Sequence, residues 1–191
     1  MTVSLPDSNE IIVTENRLIT TSWFTFFQDT WKAIRGGLLL SIGGTISVDT
    51  TIAVNSGSLE TDLMTFETGD NLFKNNGDEL YVKAWGIYGA NTNNKTVKLK
   101  FGSQTILDTS AIAANNGAWQ IEASIVRTAS ATQEIIASII SGNGSVAESA
   151  TRTAGSQDLT ISNILSVTGQ GTSSSDITQY AMIIKLTPND S

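Results

Sequence analysis

Glu79-Leu80-Tyr81-Val82-Lys83-Ala84-Trp85-Gly86-Ile87-Tyr88 is the stretch on which the reading of the fold turns. Leu80, Val82, Ala84 and Gly86 alternate with Tyr81, Lys83, Trp85 and Ile87. A period of two is the mark of a β-strand with two distinct faces. The second face is nominally outward, yet it carries Trp85 and Ile87. An outer face with Trp and Ile points to a second buried surface, such as a subunit interface. Tyr81, Trp85 and Tyr88 are also the aromatic cluster here that could stack on a sugar. Tyr81, Trp85, Ile87 and Tyr88 are therefore the candidate residues for a subunit interface or a glycan contact.

The same grammar extends downstream. Strands are predicted over 62–67, 79–88, 95–101, 104–109, 118–128, 132–141, 145–153, 158–169 and 176–186. Val97, Leu99 and Phe101 face in while Lys98 and Lys100 face out. Trp119, Ile121, Ala123 and Ile125 face in against Glu122, Ser124 and Val126. The last strand sets Tyr180, Met182, Ile184 and Leu186 against Ala181, Ile183 and Lys185. Turn residues separate the strands: Asn75-Asn76-Gly77-Asp78, Asn115-Asn116-Gly117 and Gly142-Asn143-Gly144. The spacing predicts a mainly β fold, an antiparallel jelly-roll β-sandwich, with an immunoglobulin-like sandwich as the second choice.

Upstream the pattern changes. After an extended arm, Ser22 to Arg35 has a helical period, with Trp23, Phe27, Trp31 and Ile34 on one stripe and Phe24 and Phe26 widening it. Five of the thirteen aromatic residues lie here. A short helix is marginal alone in water, so this one needs a surface to bury them. Trp23, Phe24, Phe27, Trp31 and Ile34 are the candidate anchoring or oligomer contacts. Residues 1–37 thus read as an arm and amphipathic helix, 38–57 as a connector or extra strand, and 58–191 as the sandwich. Thr45 to Val54 alternates, with a break at Asp49 to Thr51.

Composition bounds the chemistry. Among 191 residues there is no histidine and no cysteine, while Ser, Thr, Asn and Gly make up two residues in five. That removes a Ser-His-Asp triad, a thiol nucleophile and His- or Cys-ligated zinc. A net charge of −7 argues against nucleic acid as a partner. Apolar runs such as Leu38 to Leu40 are too short to insert into a membrane. The first ten residues lack the pattern of a signal peptide, so synthesis in a cytoplasm is expected. Asp62, Glu67, Asp70, Asp78 and Glu79 are the acids that glycoside cleavage would draw on, but turn-capping explains most of them. The Asp and Asn residues near 68–71 and 75–78 lack an EF-hand pattern. No enzyme activity, cofactor or metal is expected.

Two stretches resemble tailed-bacteriophage virion structural proteins. Leu5 to Gly37, LPDSNEIIVTENRLITTSWFTFFQDTWKAIRGG, resembles their start: an extended lead, a Trp/Phe-rich helix and a Gly-rich hinge. Gly77-Asp78 with Ala84-Trp85-Gly86, then 95–102 (KTVKLKFG), 115–119 (NNGAW) and 167–172 (VTGQGT), resemble a C-terminal module of such proteins. The resemblance implies a homotrimer on the virion surface, made in the host cytoplasm. Its partners would be other phage structural proteins of the capsid or of the tail and portal region, and in one reading a host surface glycan. Only Leu38 to Gly57 is available as a shaft, which extended spans at most roughly 70 Å. A short fibre, knob or decoration protein is expected; a tail-associated receptor-binding module is the alternative.

Overall fold

In the computed structural model the described residues are 23, 25–28, 43–70, 72–142 and 146–189. The chain divides into two units, Met1–Ile42 and Gly43–Ser191. In the first, residues 23 and 25–28 are helical. Trp23, Phe26 and Phe27 form a mutual aromatic trio with ring centroids 5.7–5.8 Å apart, as the i, i+3, i+4 spacing requires. Phe24, Trp31 and Ile34 lie outside the described residues, as do the extended arm and the Asn143-Gly144 turn.

The second unit is an antiparallel sandwich of eleven strands: β1 Gly44–Asp49, β2 Ala53–Val54, β3 Thr61–Glu67, β4 Glu79–Tyr88, β5 Thr96–Phe101, β6 Gln104–Asp108, β7 Ala118–Ala129, β8 Thr132–Gly142, β9 Val146–Gly155, β10 Ile164–Gln170 and β11 Ile177–Thr187. The larger sheet runs β1-β11-β4-β7-β8-β9, with β2 also on β11; the smaller runs β3-β10-β5-β6. Within 38–57, the segment read as a connector or extra strand, β1 and β2 both pair with β11 and so belong to the larger sheet. The break at Asp49–Thr51 is where the Asp49 carboxylate accepts the Thr51 amide hydrogen and ends the ladder. The segment 158–169 is a strand only from Ile164. Ahead of it, Asp158 caps Thr160 and Asn163 binds back to the Asp158 carbonyl, which makes a turn.

The alternation in the sequence becomes the core. Leu80, Val82, Ala84, Trp119, Ile121, Ile125, Val97, Leu99 and Phe101 are all buried between the sheets. Tyr180 is a correction. It was grouped with the inward residues of its strand, yet it is 36% exposed. Gln179 pairs with Gly86 and Ala181 with Trp85, so Tyr180 is the extra residue of a β-bulge. A bulge inserts one residue and reverses the parity on one side of itself, which puts Gln179 inside and Tyr180 out.

Outside the smaller sheet, Lys98 and Lys100 converge on Glu60. The Lys98 ammonium lies 2.9 Å from one Glu60 oxygen, Lys100 meets the other, and the Thr168 hydroxyl donates at 3.0 Å. Partial burial pushes the Glu60 pKa up, but the two lysines and Thr168 outweigh it and bring it down to about 2. A depressed carboxylate pKa adds stability that is complete above its unfolded value near 4.5 and is lost as pH falls through 2. The shift sets a ceiling of about 3 kcal/mol, and partial exposure reduces it to about 1–2 kcal/mol. Urea midpoints of wild type and Glu60→Gln should differ at pH 7 and converge near pH 2. Parallel curves would show that the cluster carries no such stability.

Candidate functional site

The outer face of the larger sheet holds a three-by-three array built by cross-strand register. Trp85, Gln120 and Ile140 form one row; Lys83, Glu122 and Ser138 the next; Tyr81, Ser124 and Ile136 the third. Directly opposed residues on adjacent antiparallel strands share a face, so the register alone puts these nine side chains together. β4 contributes the aromatic wall, β8 the isoleucine wall, and β7 a polar floor. Strand spacing sets the walls about 10 Å apart.

Two hollows lie along this groove. One, of about 530 Å³, is bounded by Trp85, Gln120 and Ile140 together with Gly86, Ala118 and Gly142. The other, of about 300 Å³, is bounded by Tyr81, Glu122, Ser124 and Ile136. Between them Lys83 donates to Glu122 at 2.9 Å and Gln120 donates to the same oxygen at 3.1 Å. The Lys83 ammonium holds the Glu122 pKa below the usual carboxylate range, and Glu122 in turn raises that of Lys83. Partial burial and Glu122 push the Tyr81 hydroxyl up. At neutral pH the floor is an ion pair with a protonated phenol beside it. Lys185 stands over the Tyr81 ring, 5.9 Å from its centroid.

Of the four sequence candidates, Tyr81 and Trp85 line the groove. Ile87 is on the same face but beyond it, across from Thr178 and thus in line with Val54. Tyr88 is a correction: it is 0% exposed and belongs to the core. It shares the parity of Leu80 and Gly86, so its ring turns inward beside Ser141 and touches neither a sugar nor a subunit. Gln120, Glu122, Ile136 and Ile140 escaped the sequence reading. Their signal was present in 135–140, where Ile135 and Ile139 are buried while Ile136 and Ile140 are exposed. A strand apolar on both faces has two surfaces to satisfy.

Three of the five acids weighed for catalysis, Glu67, Asp78 and Glu79, are hydrogen-bonded within the fold. Asp78 accepts backbone hydrogens from Lys74, Asn75 and Asn189, which closes a turn. Glu67 accepts from Ser162, and Glu79 from Ser124. Among the described residues no three acidic side chains gather as a cation site. No helix among them is long and apolar enough to cross a membrane. No protein-family model matches the chain, and no curated protein matches it.

Proposed function

We propose that the chain is a non-enzymatic structural protein of a tailed-phage virion, of the short fibre, knob or decoration type. Its N-terminal segment attaches to the particle and its β unit is displayed as a homotrimer. One observation carries the assembly: an apolar fringe along the β1–β2 edge. Val48, Ile52 and Val54 are 59, 64 and 48% exposed. Val48 pairs with Ile183, and Val54 lies in line with Ile87 across Thr178, so four strands each put an apolar side chain on the outer face near this edge. Contiguous apolar surface of this kind marks an interaction site, and closed symmetry is the common way for a chain to cover it with copies of itself.

The strand order supports the same reading. β1 with β2, β11, β4 and β7 lie on one side and β3, β10, β5 and β6 on the other, an order that supports a jelly-roll reading in which the β8–β9 hairpin widens the larger sheet. Light scattering should return three times the 20.3 kDa chain mass. Val54→Asp should shift the protein to monomer with unchanged circular dichroism. A monomeric wild type at micromolar concentration rejects the trimer. The second reading, a tail-associated receptor-binding module, is favoured by the groove between β4 and β8.

A further inference from the structure

We infer that the groove over β4, β7 and β8 is a binding site for a neutral, linear oligosaccharide that lies along the strands; this rests on the receptor-binding reading and names its ligand. The walls and floor divide the work as a sugar requires. Trp85 and Tyr81 offer flat rings for the C–H faces of pyranose units, an amphipathic contact that aromatic side chains suit. They stand four residues apart on β4, about 13 Å along the strand and so room for about three rings laid end to end. Between them the floor offers the Glu122 carboxylate, the Gln120 side-chain oxygen and the Ser138 hydroxyl, the Ser124 hydroxyl being given to Glu79. Sugar hydroxyls donate and accept at successive carbons, which meets a mixed floor of this kind.

The charge pattern selects among saccharides. Lys83 and Glu122 neutralise each other at 2.9 Å, so the floor between the two rings has no spare cation for a uronate or sialate, and the nearest other ammonium, Lys185, sits at the Tyr81 end against that ring. The chain's net charge of −7 repels an anionic polymer further. A protein partner fits less well. It would have to bury the Lys83–Glu122 pair against apolar surface, and burying an ion pair without new hydrogen bonds is costly. The apolar fringe at Val48, Val54 and Ile87, which has no such polar floor, is the better protein-facing surface.

The test uses the full chain and four hexasaccharides: cellohexaose, maltohexaose, mannohexaose and the anionic hexagalacturonate. Isothermal titration should show saturable binding of at least one neutral probe and none of the anionic one. Trp85→Ala and the hollow-filling Ile140→Lys should each weaken it about tenfold or more, a difference of roughly 1.4 kcal/mol. Ile87→Ala should leave it unchanged. Both groove residues are outward, so circular dichroism should stay native. Binding that survives both groove variants overturns this site while leaving a receptor-binding role intact. Binding to hexagalacturonate alone overturns the neutral class. No binding to any probe at millimolar concentration overturns the site and the receptor-binding reading together. A change of oligomeric mass in Ile140→Lys would make the groove a subunit interface and overturn the sugar site.

Discussion

Gly86→Ala should cost about 3 kcal/mol or more of a stability that for such a domain totals only about 5–15 kcal/mol. A methyl group at Gly86 would stand 1.9 Å from the Thr178 carbonyl oxygen and 2.6 Å from the nearest atom of the Trp119 ring. Neither neighbour can withdraw. The carbonyl belongs to the backbone of β11 beside the Tyr180 bulge, and the ring is fully buried between the sheets. Gly86 is opposite Trp119 on β7 and Gln179 on β11, so bare backbone is what lets the indole lie flat there. Gly142→Ala is the control. Its added methyl would meet only the Ala118 carbonyl oxygen at 3.8 Å, so it should be neutral or slightly stabilising. Urea unfolding followed by tryptophan fluorescence separates the two. A Gly86→Ala midpoint equal to wild type would remove the packing argument.

Lys95→Met should lower Tm by about 6–12 °C, the equivalent of about 3 kcal/mol in a domain of this size. Lys95 is fully buried just before β5. Its ammonium donates to the Asn91 carbonyl and side-chain oxygen, the Asn93 carbonyl and the Ala114 carbonyl, at 2.7–3.0 Å. Burial pulls its pKa below the usual lysine value, and the Asp176 carboxylate pulls it back up. Asp176 is itself buried, accepting from Asn91, Asn93, Thr172 and Ser173. The pair of networks pins the loop after β4 to the loop before β11. Methionine keeps the volume and leaves the inward acceptors without a donor, which is the costly case. Calorimetry reads the shift; a change under 2 °C would mean that water replaces the ammonium.

Local pattern was legible and long-range pairing was not. The bounds of 79–88 and the inward set of 97–101 could be read because a period of two needs only neighbours in sequence. Parity also held the answer for Tyr88, an even-numbered partner of Leu80, although aromatic clustering drew it toward Trp85. Lys95 shares the parity of Val97 but was left out of the inward set, because the pattern could not show the cage of carbonyls that receives it. Tyr180 was out of reach, because a bulge depends on the partner strand. The groove needed the β4-β7-β8 register, which brings 85, 120 and 140 into one row. Alternation assigns faces but says nothing about which strands adjoin.

The pairing of the chain's ends has a consequence for its synthesis. β11 carries β1, β2 and β4, and β10 joins β3 to β5. Strands β1 to β3 thus wait for the latest, while the β5–β6 hairpin and the run β4-β7-β8-β9 can pair as they emerge. Until about Thr187 has been translated, β1 and β2 lack their partner and β4 keeps one edge open. A nascent chain of this kind needs both β10 and β11 free of the exit tunnel before it can close. Stalling or truncation there should yield insoluble product rather than a shorter working protein.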